Sequence, residues 1–333
     1  MAKLNIYGCG GTGINIVSSF SKFHGKKDHG FAEINTYFID TSESNKPKDC
    51  DESLFYKLTE SNGKVIDGSG KLRKTNAESI VQSSKDMLLR FKPESINLIV
   101  HSSGGGSGSV IGPVLTEEML KRGQLVIVLI AGSSNSRIEV DNTIKTLMSY
   151  ELVSKNTGKP VPCTYRENGK SHHNVKVDED IRTMVAIISA MFSGENHRLD
   201  SADLNNFLNY NRITGYQPKL TLLDFYSKTL NPPQGLTVMS LVSLSTKNID
   251  YSIDIPVEYM AEGILPDSLK DAFNIELPLH ICMINGYFNG VINNLIQKLN
   301  TFDEAKNAVI EKSIISDIDL RNSESVNGSS LML

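Results

Sequence analysis

Three consecutive glycines and a fourth, in Ser102–Ser109 (SSGGGSGS), join an apolar run, Ile96–Ser102 (INLIVHS), to a helix-like segment, Val110–Arg122. Glycine has no Cβ, so such a loop can turn its amide N–H groups inward and let a ligand approach the backbone. A loop between a buried strand and a helix N-terminus is suited to an anion, because aligned amides and the helix dipole both favour negative charge. A triphosphate is the biological anion it suits best. A flexible linker does not ordinarily sit between a buried strand and an amphipathic helix.

A second glycine loop lies near the N-terminus. Lys3–Tyr7 (KLNIY) reads as a strand, Gly8–Gly13 (GCGGTG) as a turn, and Ile14–Phe23 as helix-like. Gly8, Gly10 and Gly13 satisfy G-x-G-x-x-G in the strand–turn–helix context that gives the pattern meaning. The next strand, Asn35–Asp40, ends in an acid where a dinucleotide fold places its ribose carboxylate. Alone, this half reads as an NAD or FAD site, and a Rossmann-type oxidoreductase is one alternative. Such a domain has no assigned use for the second loop. Two phosphate loops on one sheet edge imply a longer phosphate chain bound across the strand ends.

The fold class expected is α/β. Strands at Lys3–Tyr7, Asn35–Ile39, Ile96–Ser102, Leu125–Ala131 and Val161–Tyr165 alternate with helices at Gly13–Phe23, Asn76–Phe91, Gly112–Arg122 and Glu139–Lys155. Strands apolar on both faces and separated by helices predict a parallel, Rossmann-like sheet covered on each side. The 333 residues then divide into a nucleotide-binding domain (1–176), a central helix (177–193), a catalytic loop with a smaller C-terminal α/β domain (194–285), a long helix (286–315) and a flexible tail (316–333). Helices Asp178–Phe192, Ser201–Tyr210 and Phe288–Ile315 and strands Leu236–Leu244 and Leu279–Asn285 fill the second half. Pro47–Lys74 is polar and turn-rich, and is expected to reach over the site.

A net charge of −4 with scattered lysines supplies no basic field, so no direct nucleic-acid binding is expected. Cys9, Cys50, Cys163 and Cys282 are far apart without a C-x-x-C, and read as free thiols of a reducing cytosol, with no metal site. The apolar run Leu125–Gly132 is too short to span a bilayer, and MAKLN carries no apolar leader, so a cytoplasmic protein is expected. His172–His173 reads as a surface pair and His101 as a hydrogen-bonded core residue.

Three motifs carry a family resemblance, over roughly Lys3–Leu208. Gly104–Ser109 (GGGSGS) resembles the signature loop of the tubulin/FtsZ superfamily, with Ser107 where threonine is usual. Gly8–Gly13, with Asn15 beyond it, resembles that superfamily's other phosphate loop. Arg198–Asp203 (RLDSAD) resembles its catalytic N-x-D-x-x-D/E segment, with Arg198 replacing the asparagine. The chain is identified as a member of this GTPase superfamily and resembles the phage-encoded tubulins of giant bacteriophages. The resemblance implies GTP/GDP binding and Mg²⁺ held mainly through phosphate oxygens and water. It also implies a head-to-tail homopolymer that positions the phage nucleus and its DNA in the host bacterial cytoplasm. Hydrolysis would be assembly-dependent, with Asp200 and Asp203 meeting the nucleotide of the next subunit. A C-terminal tail would contact a neighbour; here Asp317, Asp319 and Glu324 against Arg321 make it only mildly acidic.

If the ligand is GTP, Gly10, Gly11 and Thr12 face the α- and β-phosphates, and Gly104, Gly105, Gly106, Ser107, Gly108 and Ser109 cradle the β/γ end. Gly68 and Gly70 offer amides to the γ-phosphate, with Lys71 as counter-charge or simply a solvated lysine. By the resemblance Asp178 reads the guanine, Glu139 the ribose, and Asn15 and Asn168 ribose or base. Asp178 is equally explained as a charge at a helix N-terminus, worth about 0.3–1 kcal/mol. Asp200 and Asp203 share one helix face, either to orient the attacking water or as an N-cap and N3 acid, worth about 1 kcal/mol. The last reading would make the chain a non-hydrolysing, nucleotide-binding structural protein.

Overall fold

The computed structural model describes residues 3–27, 31–59, 66–168, 174–247, 249–267 and 276–311, with the side chains of 174 and 308–311 left aside. The expectations for His172–His173, for the end of the long helix and for the tail fall outside the described residues.

Strand β5 (Leu125–Ser133) is buried from Val126 to Gly132, as a strand covered on both faces must be. Around it lie β1 (Lys3–Cys9), β2 (Glu33–Asp40), β3 (Phe55–Lys57), β4 (Ile96–Ser102), β6 (Val161–Asn168) and β7 (Leu220–Ser227). With β8 (Thr237–Ser245), β9 (Tyr259–Ile264) and β10 (Leu279–Asn285) they form one ten-stranded sheet in the order β3-β2-β1-β4-β5-β6-β7-β10-β8-β9. Strands β3 to β7 of that order run parallel, whereas β10 is antiparallel to both β7 and β8. The strands of the second half therefore extend the same sheet. Strands β3, β7 and β9 carry no clear apolar signal in sequence, because polar residues interrupt them.

Helices α1 (Gly10–Ser18), α5 (Asn174–Met191) and α6 (Ser201–Leu208) contribute to the apolar core on one face. The other face is packed by α2 (Ala77–Arg90), α3 (Gly108–Lys121), α4 (Arg137–Thr157) and α7 (Tyr287–Glu311).

Two helix starts are corrected toward the loops. Helix α1 begins at Gly10 rather than at Gly13 or Ile14, and α3 at Gly108 rather than at Val110 or Gly112. The glycines are themselves the first turns, so their free amides are those of helix N-termini. Helix α1 ends at Ser18, short of Phe23, where Ser18 and Ser19 hydroxyls donate to the carbonyls of Asn15 and Ile16 at 2.7 Å each and compete with the helical ladder. In α3, Pro113 cannot donate to the carbonyl of Ser109. That carbonyl instead accepts the Arg73 guanidinium at 2.7 Å, which pins the segment before α2 to the start of α3.

Helix α5 runs the height of the sheet. Near its start, Asp178 Oδ2 accepts from Asn15 Nδ2 at 3.3 Å, beside the glycine loops. Near its end, the Ser189 carbonyl accepts the amide of Ala32, just before β2 begins, at 2.9 Å. At 1.5 Å per residue, the eleven steps from Asp178 to Ser189 cover roughly 17 Å.

Candidate nucleotide site

The two glycine loops are built against each other. A Cβ at Gly108 would lie 2.4 Å from the Cys9 carbonyl oxygen. One at Gly10, whose φ is +69°, would lie 2.8 Å from the Gly108 amide nitrogen. No side chain fits between the loops, so the strand ends of β1 and β4 close on one cavity of about 340 Å³. Gly10, Gly11 and Thr12 line it from the first loop, Gly105–Gly108 from the second, and Gly68, Ser69 and Lys71 from the segment above. Cys9, Asp40, Ser42, Asn45 and Ser102 complete the wall.

Side chains behind the second loop hold its carbonyls. Asn142 donates to Gly104 O at 3.0 Å and to Lys71 O at 2.8 Å. Ser109 Oγ donates to Gly105 O at 2.5 Å and Gly106 O at 3.1 Å, and the Ser107 hydroxyl pairs with that of Thr41 at 2.6 Å. No acceptor among the described residues takes the amides of Gly104, Gly105, Gly106 or Ser107. A cradle of unspent N–H groups behind side-chain-fixed carbonyls fits a phosphate chain.

Asp40, which a dinucleotide reading would give to a ribose, instead accepts from Asn45 Nδ2 at 2.6 Å and from the Thr41 amide at 2.7 Å. Burial pushes its carboxyl above the usual range, against the pull of those hydrogen bonds. Lys71 lines the cavity but is paired to Glu139, Nζ to Oε1 2.5 Å. Ser133 Oγ and the Asn135 amide donate to the other oxygen of Glu139 at 2.8 and 3.0 Å.

Burial raises the Glu139 pKa, but Lys71 and Ser133 outweigh it and hold the carboxyl below its ordinary value. A depressed native pKa stabilises the fold fully above the unfolded value of about 4.3, and the contribution is lost as pH falls through the lower native value. Glu139→Gln should therefore flatten the acid limb of a melting-temperature profile below about pH 4.3 while leaving its neutral limb in shape.

Asn168 sits opposite Ser133 in the β5–β6 register, and its Oδ1 is buried with no hydrogen-bond partner among the described residues. Asp178 is raised by burial, against the lowering pull of Arg182 and Asn15. Glu139, Asn168, Asn15 and Asp178 thus lie along the strand ends beside the cavity but outside its wall, as do Gly104, Ser109 and Gly70. The sequence offered no sign of Ser42 or Asn45, which a short turn after β2 brings in. His101 is a core residue as expected, with Nε2 2.7 Å from the Tyr150 hydroxyl, and burial lowers its pKa to about 4.

Asp200 and Asp203 are elsewhere. Asp200 is the N-cap of α6, its Oδ1 accepting the amides of Ala202 and Asp203 at 2.7 and 2.9 Å. Asp203 Oδ2 accepts the Asp200 amide at 3.2 Å, and its Oδ1 accepts the Tyr259 hydroxyl at 2.9 Å. The second oxygen of Asp200 accepts from none of the described residues. A hollow beside the cap is lined by Asp200, Ile96 and Leu125. Ile96 and Leu125 open β4 and β5, whereas the glycine loops leave the far ends of β1 and β4. Seven residues of strand separate the two ends, roughly 20 Å.

No protein-family model matches the chain. A phage tubulin-like protein of Pseudomonas phage phiKZ is 31% identical over 219 residues, 63% of this chain and 64% of the relative, just under two thirds of that protein's length. One from Pseudomonas phage PhiPA3 is 25% identical over 323 residues, 95% of this chain and 96% of the relative. The fold matches a protofilament of TubZ from bacteriophage PhiKZ with a TM-score of 0.83 at 24% identity, covering 100% of both chains. It matches the phage tubulin PhuZ, solved with GDP, with a TM-score of 0.78 at 18% identity, again over 100% of both. In sequence the chain is similar to these phage tubulin-like proteins, and its fold is that of the solved phage tubulins it matches.

Proposed function

We propose that the chain binds GTP, assembles head to tail, and hydrolyses GTP at the contact between consecutive subunits. The separation of its two polar sites carries this reading. The amide cradle and the Asp200–Asp203 pair lie at opposite ends of one sheet, roughly 20 Å apart along β4. No chain can bring its own carboxylates to its own γ-phosphate across that length of strand. A second copy stacked below can. A contact joining two different surfaces, where it does not close into a ring, repeats into a filament.

The residues divide the work. Gly10–Thr12 and Gly105–Gly108 bind the phosphates through amides, and Gly68, Gly70 and Lys71 cover the γ end. Glu139 and Asn168 lie where a ribose or base would extend along the strand ends, and Asp178 with Asn15 offers acceptors and donors to guanine. Gly104 and Ser109 shape the cradle from behind. Mg²⁺, when it accompanies the nucleotide, neutralises phosphate charge and is held mainly through phosphate oxygens and water. The neighbour's Asp200 and Asp203 orient the water in line with the γ-phosphorus. Positioning and charge stabilisation dominate such a transfer.

One observation favours a second reading, a nucleotide-binding filament without turnover: both carboxylates already serve the α6 cap. Phosphate release followed beside light scattering separates the two. Shared-site hydrolysis predicts a rate per subunit that rises steeply with protein concentration and tracks scattering. A cap-only role predicts scattering without phosphate, and a rate per subunit constant down to the lowest concentration would mean a complete site in one chain. Among the described residues no helix is long and apolar enough to cross a membrane. We assign the filament to the host bacterial cytoplasm, where it would position phage DNA and the phage nucleus, with the C-terminal tail contacting a neighbour.

A further inference from the structure

Arg198 departs from the superfamily pattern, and its setting is unusual. It stands two residues before Asp200 in the left-handed backbone region, with φ 72°. A residue with a Cβ is uncommon there, and such conformations persist where the surroundings enforce them. Both neighbours are anchored. The His197 amide donates to Ile264 O at 2.9 Å and its carbonyl accepts the Ile264 amide at 2.8 Å, while Leu199 is buried. The backbone is thus fixed on either side while the side chain projects outward, 69% exposed.

Little holds the guanidinium. Its ion pair is with Glu262, Nη1 to Oε2 3.9 Å, and that carboxylate is itself 43% exposed and accepts the Tyr251 hydroxyl at 3.1 Å. A solvated pair at this distance contributes little and breaks readily. Presenting Asp200 and Asp203 alone to a triphosphate sets like charges together.

We propose that Arg198 is a catalytic residue supplied in trans, leaving Glu262 on assembly to bind the γ-phosphate oxygens of the nucleotide held by the neighbouring subunit. This rests on the shared-site reading above. In the step, the water oxygen bonds to the γ-phosphorus as its bond to the β–γ bridging oxygen breaks. The bridging oxygen leaves with the electron pair on GDP, and the water proton ends on inorganic phosphate. Arg198 exchanges no proton; its fork neutralises charge on the transferring group, as an arginine finger does.

The test compares full-length Arg198→Asn, Arg198→Lys and Arg198→Gly with Asp203→Asn. Asparagine and glycine both tolerate a positive φ, so neither substitution strains the loop. All four are assembled with GTPγS and scored by pelleting, then assayed for phosphate released per polymerised subunit with GTP. The proposal expects normal pelleting, with release from Arg198→Asn and Arg198→Lys lowered by about 10³-fold or more. It also expects partial recovery of Arg198→Gly filaments by added guanidinium ion. Release within threefold of the parent in Arg198→Asn filaments overturns the proposal, as does failure of that variant to pellet, which would make Arg198 a contact residue. If Asp203→Asn filaments hydrolyse at the parental rate, it is the shared-site reading that fails.

Discussion

Asp203→Asn filaments are expected to form with GTP and to release phosphate about 10²–10⁴-fold more slowly than the parent, the range general-base and water-orienting carboxylates supply. The substitution is chosen from the geometry. Asp203 accepts the Asp200 amide and the Tyr259 hydroxyl. An asparagine keeps an oxygen acceptor for one of them, so the α6 cap loses at most part of its roughly 1 kcal/mol. Asp203→Ala would remove both partners and blur chemistry with stability. If the two acids only cap α6, phosphate release per assembled subunit should be unchanged in Asp203→Asn while the melting temperature drops slightly. The two explanations thus move different observables.

Gly105→Asp is expected to abolish nucleotide binding and leave the fold intact. Gly105 lines the cavity, lies outside the positive-φ region, and a Cβ there meets nothing within 4 Å. The new carboxylate has room, but it stands where a phosphate belongs. Two unit charges at about 4 Å and an effective dielectric near 20 repel by roughly 4 kcal/mol. That is about a thousandfold in affinity at 1.4 kcal/mol per tenfold. Isothermal titration with GTP should find no binding at concentrations that saturate the parent, and the nucleotide-free melting temperature should match the parent's. Normal affinity in this variant would mean that the Gly104–Ser109 bend is not the phosphate cradle. At Gly108 the same change would be uninformative, because a Cβ 2.4 Å from the Cys9 carbonyl damages the fold itself.

What sequence disclosed about this site is what the chain places locally. Each glycine loop follows its own strand and opens its own helix, so both could be found without knowing how the sheet is ordered. The meeting of the loops was harder to see, since it depends on β1 and β4 being neighbours with β2 on the other side. Supports drawn from distant segments were invisible. Asn142 reaches the Gly104 carbonyl from α4, and Arg73 fills the gap left by Pro113. Asn45 enters through a turn with no pattern of its own. Asn168 acquires its meaning only from its register against Ser133.

The second half was read less well for a physical reason. Strand β7 (LTLLDFYS) carries Asp224 opposite Cys282 and a salt bridge from Arg166 at 2.5 Å, so its polar residues are satisfied inside the sheet and break its apolar run. The long helix α7 was legible from its spacing, but its bonds back to the glycine-loop end of the sheet were not. Lys298 donates to Ser134 at 2.7 Å, and Asp303 pairs with Arg137 at the start of α4. These contacts seat α7 against the segment that also carries Ser133 and Glu139.

Complementation between two inactive chains shows whether one hydrolytic site is built by two subunits. Gly105→Asp keeps its carboxylate end and lacks a phosphate cradle; Asp203→Asn keeps its cradle and lacks a working carboxylate end. Each alone should release phosphate at less than a hundredth of the parental rate. Mixed with GTP, the pair should recover a substantial fraction of it, because a Gly105→Asp subunit seated on an Asp203→Asn neighbour completes one intact site. A mixture no more active than the two proteins measured separately would contradict a site divided between subunits.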